Sequence, residues 1–206
     1  MEYAGLDILT NDNVYIPAED SFLAADMIRE ELDSMEGGVE VLEIGCGSGI
    51  LGLVAASNAN VKRVVFADIN DDALELCKEN IRRNSDRISA ECEVVKSDLF
   101  SNVEGMFDMI IFNAPYLPDG DDMKLSEAWY GGEKGIEVSE KFIDSATDFL
   151  KAYGKIILVV SSLGDLEKLR GTINLRGLSV EREQKVHVDF EDIIALVLGK
   201  HEYYGS

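Results

Sequence analysis

Val39-Glu40-Val41-Leu42-Glu43-Ile44-Gly45-Cys46-Gly47-Ser48-Gly49-Ile50-Leu51-Gly52 is the stretch whose reading decides the fold. An apolar run of strand length, 39–44, meets a glycine-rich turn, and a helical stretch over 50–57 follows at once. Glycines in such a turn tolerate positive φ and let a ligand approach the backbone. The helix start beyond it offers N–H groups without intrahelical acceptors. Working outward, strands are expected at 63–67, 91–96, 107–112, 155–160, 178–188 and 193–198, and helices at 19–35, 71–84, 135–150 and 165–175. Alternation of this kind implies a mostly parallel, seven-stranded sheet with helices on both faces. Only residues 189–192 separate the last two strands. That is too short for a parallel crossover, so the pair is an antiparallel hairpin. Residues 1–18 read as irregular and polar, and 114–134 as one long loop rich in Asp and Gly.

The chain has 206 residues, which suits one domain spanning 1–206. It carries 19 Lys and Arg against 40 Asp and Glu, a formal charge of −21. Such a field repels phosphate backbones, which disfavours nucleic acid as a partner class, while a basic protein substrate suits it. Cys46, Cys77 and Cys92 form no CxxC pair, and His187 and His201 lie far from them in sequence. A disulfide framework and a Cys/His zinc site are both disfavoured, no bound metal is expected, and a reducing, cytoplasmic compartment fits. No secretory signal and no membrane-length apolar run is visible.

The candidate site collects at the carboxyl ends of the expected strands, where open α/β sheets hold their ligands. Asp68 closes the second strand and can accept two hydrogen bonds from a ribose diol. Gly47 to Gly52 also spells a G-x-G-x-x-G, so a dinucleotide enzyme must be weighed against a purely structural turn. Three features point elsewhere. Glu43 stands two residues before the first glycine, where a carboxylate repels a pyrophosphate but suits the amino and sulfonium cations of S-adenosylmethionine. Asp98 and Leu99, expected at the end of the third strand, suit an adenine amino group and its ring, although Asp98 alone also reads as a turn cap. The fourth strand ends in Asn113-Ala114-Pro115-Tyr116.

That tetrapeptide is suited to gripping a planar NH₂ group. Asn113 offers an amide oxygen, and Pro115 biases Ala114 toward extended backbone and so holds the Ala114 carbonyl. Tyr116 offers an aromatic face for a flat amide or base. The bland reading is a turn after a strand.

Together these residues resemble the HemK-like N5-glutamine methyltransferases, in the archaeal and eukaryotic branch acting on class-one translation release factors. Val14-Tyr15-Ile16-Pro17-Ala18-Glu19-Asp20-Ser21-Phe22 is similar to that branch's N-terminal motif, Glu43 through Gly49 to its glycine motif, and Ala128-Trp129-Tyr130-Gly131-Gly132 with Gly135 to the loop after its catalytic strand. The resemblance implies a Rossmann-like class I methyltransferase domain, with 1–36 covering the cofactor. It implies S-adenosylmethionine held by Tyr15, Ser21, Glu43, Gly45, Gly47, Asp68, Asp98, Leu99 and Asn113, with Asn113, Ala114, Pro115 and Tyr116 at the acceptor. It further implies a small zinc-binding activator subunit on a sheet edge. The family usually has proline where Ala114 stands, which bears on rate more than on reaction type. The long N-terminal recognition domain of the bacterial branch is missing from this sequence. An adenine-N6 DNA methyltransferase, a protein lysine methyltransferase and a non-catalytic cofactor-binding subunit stay open as alternatives.

Overall fold

The computed structural model describes residues 1–115 and 136–201. Two short strands, β1 (Glu2–Tyr3) and β2 (Leu6–Asp7), pair antiparallel around Ala4 and Gly5, whose φ values are 50° and 79°. The sequence leads one to expect irregular chain there. Two-residue strands carry no readable period, and only the burial of Leu6 and Ile8 marks the hairpin as packed.

Among the described residues, seven strands make the main sheet: β3 (Val39–Ile44), β4 (Val61–Asp68), β5 (Glu91–Lys96), β6 (Phe107–Asn113), β7 (Leu150–Ser161), β8 (Leu178–Val188) and β9 (Glu191–Lys200). Their order is β5-β4-β3-β6-β7-β9-β8. The pairs β3–β4, β4–β5, β3–β6 and β6–β7 are parallel, whereas β9 runs antiparallel to both β7 and β8. The expected sheet and closing hairpin are therefore present. The direction of winding reverses between β3 and β6, and a crevice forms at the carboxyl ends of strands at such a point. Ile44 lies opposite Phe112 in the register, so Gly45 and Asn113 emerge side by side at that edge.

Among the described residues, five helices cover the sheet: α1 (Glu19–Ser34), α2 (Ile50–Ala56), α3 (Asp71–Arg83), α4 (Glu137–Phe149) and α5 (Leu166–Leu175). Side chains alternate across β6. Met109 and Ile111 pack into the cluster containing Met27, Ile28 and Leu53, while Ile110 and Phe112 join Phe142, Ile143 and Ile173. Burial on both faces explains why the central strands read as continuous apolar runs. No described helix is long and apolar enough to cross a membrane.

One boundary and the place of one residue differ from expectation in ways that matter. Strand β7 begins at Leu150 because α4 runs straight into it, and the exposed side chains at its start hide the strand from a hydrophobic pattern. Strand β5 stops at Lys96, so Asp98 sits in a turn beyond the strand rather than at its end.

The chain before α1 is fastened by two asparagines one turn apart, Asn80 in α3 and Asn84 at its C-terminal cap. Asn84 Oδ1 accepts from Asp7 N at 2.8 Å, and its Nδ2 donates to Asp7 O at 2.9 Å. Asn80, fully buried, accepts from Leu9 N at 2.8 Å and donates to Leu9 O at 3.1 Å and to Ser48 O at 2.9 Å. These amides imitate strand pairing and lock the N-terminal segment against both the helix and the glycine turn.

Candidate active site

The carboxyl edge of the sheet encloses a cavity of about 870 Å³. The glycine turn forms its floor. Gly45, Gly47 and Gly49 have φ of 62°, 53° and 78°, a left-handed run that other residues adopt only with strain. A side chain at Gly49 would lie 2.7 Å from Cys77 Sγ. At Gly52 it would lie 2.3 Å from Phe66 Cε1 and 2.6 Å from Glu43 Oε2. These last two glycines thus serve close packing of the start of α2 against α3 and the sheet, which explains the dinucleotide-like spelling without a dinucleotide.

Glu43, at 2% exposure, lines the cavity, and its Oε2 accepts from Gly52 N at 2.9 Å. It therefore occupies an N–H at the start of α2 that a phosphate would need. Burial pushes its carboxyl up to about 8, against the lowering effect of the Gly52 hydrogen bond, and the Asp68 charge adds to the rise. Asp68 accepts from Gly47 N at 2.9 Å through Oδ2 and from Asn70 N at 2.9 Å through Oδ1, so the same carboxylate shapes the glycine turn and faces the cavity. Asp20, Asp68, Asp71, Asp72 and Asp98 contribute acidic side chains to the lining, against Lys141 on the cationic side. An acidic cavity of this kind fits a cationic ligand and opposes a pyrophosphate.

Leu99 enters the lining from a tight turn in which its φ is 48°. Ser97 Oγ donates to Leu99 O at 2.8 Å, Asn102 N donates to Ser97 Oγ at 3.0 Å, and Asn102 Nδ2 donates to Lys96 O at 2.8 Å. These bonds hold a left-handed leucine that costs about 1–3 kcal/mol. Such a conformation, imposed at a cavity wall, marks a side chain whose direction matters.

Asn113 closes β6 at the opposite wall. Its Nδ2 donates to Asp20 Oδ2 at 2.9 Å, while its Oδ1 is buried with no hydrogen-bond partner among the described residues. Ala114 is buried in the apolar cluster under β6, and Pro115 lines the cavity. Tyr15 also lines it, and its hydroxyl donates to Asp20 Oδ2 at 2.8 Å. Ser21 directs both its backbone N, at 2.6 Å, and its Oγ, at 3.2 Å, to Asp20 Oδ1.

The structure thus brings Tyr15, Ser21, Glu43, Gly45, Gly47, Asp68, Asp98, Leu99, Asn113, Ala114 and Pro115 around one cavity. Tyr116 and the Ala128–Gly132 and Gly135 motif lie outside the described residues. The reading of the residues gave no role to Asp20 or Asn80. Asp20 lies inside the N-terminal motif, yet nothing in the linear order couples it to Asn113. Asn80 sits in the last turns of an amphipathic helix, where a polar residue ordinarily faces water. Among the described residues, no cluster of His, Cys, Asp and Glu could hold a metal ion.

Comparison with known proteins bears on the family and the fold. Residues 6–181 match the family described as Methyltransferase small domain. The chain is 34% identical over 200 residues to a provisionally assigned protein N5-glutamine methyltransferase of Methanocaldococcus jannaschii, covering 95% of this chain and 96% of that protein. It is 30% identical to the release factor glutamine methyltransferase of Streptococcus pneumoniae, over 77% of this chain and 58% of that one. In fold, it superposes with a TM-score of 0.69 on a chain from the E. cuniculi Mtq2–Trm112 complex, described as responsible for methylation of the eRF1 termination factor, at 23% identity over 92% of this chain and 99% of that one.

Proposed function

The chain belongs to the small-domain methyltransferases and, within them, to the protein N5-glutamine methyltransferases, and from that premise we propose that it methylates the side-chain amide nitrogen of a glutamine in a class-one translation release factor, in the Gly-Gly-Gln loop. The observation that carries this reading is the Oδ1 of Asn113, buried without a partner in the same cavity as the glycine turn. A buried acceptor left unpaired is costly, and an N–H donor from a substrate relieves it.

In this reading S-adenosylmethionine occupies the floor of the cavity. Asp68 faces its ribose, Asp98 and Leu99 its adenine, and Glu43, Gly45 and Gly47 the cationic end, while Tyr15 and Ser21 cover it as part of the segment 1–36. When bound, this cofactor supplies an electrophilic methyl group on a sulfonium sulfur. The chain's own residues must improve a poor nucleophile, since an amide nitrogen's lone pair is delocalised. Asn113 Oδ1 and the Ala114 carbonyl accept the two N–H groups, and Tyr116 packs on the amide plane. Acceptors so placed stabilise positive charge as it develops on nitrogen, so no strong base is needed before attack. Pro115 stiffens the backbone that holds them.

A small zinc-binding partner on a sheet edge completes the proposal, in a cytoplasmic setting. In its support, β5 and β8 are the two edges of the sheet among the described residues, an unpaired edge is a liability, and the E. cuniculi relative in fold is described in a complex with Trm112. The net charge of −21 favours a substrate with basic regions.

The test is a competition. The protein, with and without such a partner, is incubated with methyl-labelled S-adenosylmethionine, a release factor and double-stranded DNA in one tube. Label on the release factor is expected, and label on the DNA instead refutes the assignment in favour of adenine.

A further inference from the structure

We propose that Asp20 is a positioning residue for methyl transfer, whose carboxylate sets the Asn113 amide with its oxygen turned toward the acceptor and ties that setting to the N-terminal segment. The inference rests on the amide-methylation reading given above and extends it to a residue 93 positions from Asn113 in the chain.

Asp20 is 2% exposed at the start of α1, beside the cavity. An ionised carboxylate only accepts hydrogen bonds, so the group Asn113 presents to it must be the NH₂ end. A flipped amide would place Oδ1 against Asp20 Oδ2, two buried acceptors within 2.9 Å of each other. The carboxylate therefore decides which end of Asn113 is left over, and what is left is the unpartnered Oδ1. A site that keeps an acceptor there takes a neutral N–H donor such as a primary amide.

The same Oδ2 also accepts from Tyr15, and Oδ1 accepts from Ser21 N and Oγ. Tyr15, Asp20 and Ser21 all belong to the N-terminal segment and line the same cavity. Order in that segment and orientation of Asn113 are thus one arrangement. The competing explanation is a local carboxylate that steadies the first turn of α1. The cap position, Ala18, makes no side-chain bond, so Asp20 could act there through Ser21 N alone.

Asp20→Asn keeps the size and removes the acceptor-only character, so the Asn113 amide is no longer held in one sense. With a glutamine-bearing protein substrate, kcat is expected to fall on the order of 100-fold, as misplacement of a reacting group does. The Kd for S-adenosylmethionine and the thermal midpoint should stay close to wild type. Combined with Asn113→Ala, Asp20→Asn should add nothing further, because both changes remove one device. Independently of any substrate, the Asn113 side-chain NH₂ pair, identified in ¹H–¹⁵N spectra by its loss in Asn113→Ala, should exchange slowly in the wild type and rapidly in Asp20→Asn. If Asp20→Asn does not fold, Asp20→Ser serves in its place. Unchanged kcat, effects that add to those of Asn113→Ala, or a rate loss that only follows lost cofactor affinity or stability overturns the proposal. If wild type transfers no methyl to glutamine, the amide reading falls, while the exchange measurement still decides whether Asp20 holds Asn113.

Discussion

The floor of the cavity, Glu43 to Gly52 with Asp68, is assembled from two adjacent parallel strands and the turns that end them, whereas the opposite wall joins Asp20 to Asn113 across 93 positions of the chain. The floor depends on backbone space: three left-handed glycines and two positions at which a Cβ collides with Phe66, Cys77 or Glu43. The wall depends on polarity, with one carboxylate deciding which end of one amide stays unpaired. Damage to the floor should therefore show in cofactor affinity and folding, and damage to the wall in the rate of transfer.

The largest effect is expected at the wall. Asn113→Ala should lower kcat by about 100- to 1,000-fold, the usual cost of removing one group that stabilises developing charge. Steady-state kinetics alongside cofactor titration check it, and a loss that lies mainly in cofactor affinity breaks the division between the two halves. On the floor, Asp68→Ala removes a carboxylate that also braces Gly47, and the cofactor Kd should rise about 10- to 100-fold by calorimetry. Gly52→Ala forces a methyl into the space of Phe66 and Glu43 and should cost about 1–3 kcal/mol in denaturant unfolding. Asn80→Ala leaves Leu9 and Ser48 backbone groups without their partner and should cost a similar or slightly smaller amount, about 1–3 kcal/mol.

The most gradual effect is a slope. Glu43 has its carboxyl pushed up to about 8 by burial, from an ordinary value of 4.5. Over that window the unfolded chain has released the proton and the folded chain still binds it. Its contribution is thus fully present below 4.5 and is lost as pH rises through about 8, at no more than about 1.4 kcal/mol per pH unit. Glu43→Gln should flatten this part of the stability–pH curve of the cofactor-free protein. An unchanged curve would show that burial of Glu43 does not control it.

The same contrast explains what could be read from the residues. The floor is contiguous, so the strand, the glycines, Glu43 and Asp68 are visible as a spaced pattern. The central sheet is legible for a related reason, since burial on both faces leaves unbroken apolar runs. The tetrapeptide is visible as well, because Pro115 and Asn113 are unusual at the end of an apolar strand. Its wiring is not: the bond from Asn113 to Asp20 spans two residues that no local period relates. Asn80 and Asn84 are hidden in the same way, as ordinary polar positions of a helix until Asp7 and Leu9 pair with them. The left-handed Leu99 is held by Ser97 and Asn102 in a turn that no propensity announces.

Both halves are proposed to meet on a single nitrogen, and site-resolved mass spectrometry tests that most directly. A release factor incubated with the protein, S-adenosylmethionine and a partner subunit is digested and its modified peptide fragmented. The account predicts one added methyl group on the side-chain amide of the glutamine in the Gly-Gly-Gln loop, absent when Asn113→Ala replaces the wild type. A methyl group on a lysine, or one that persists at full level with Asn113→Ala, would contradict it.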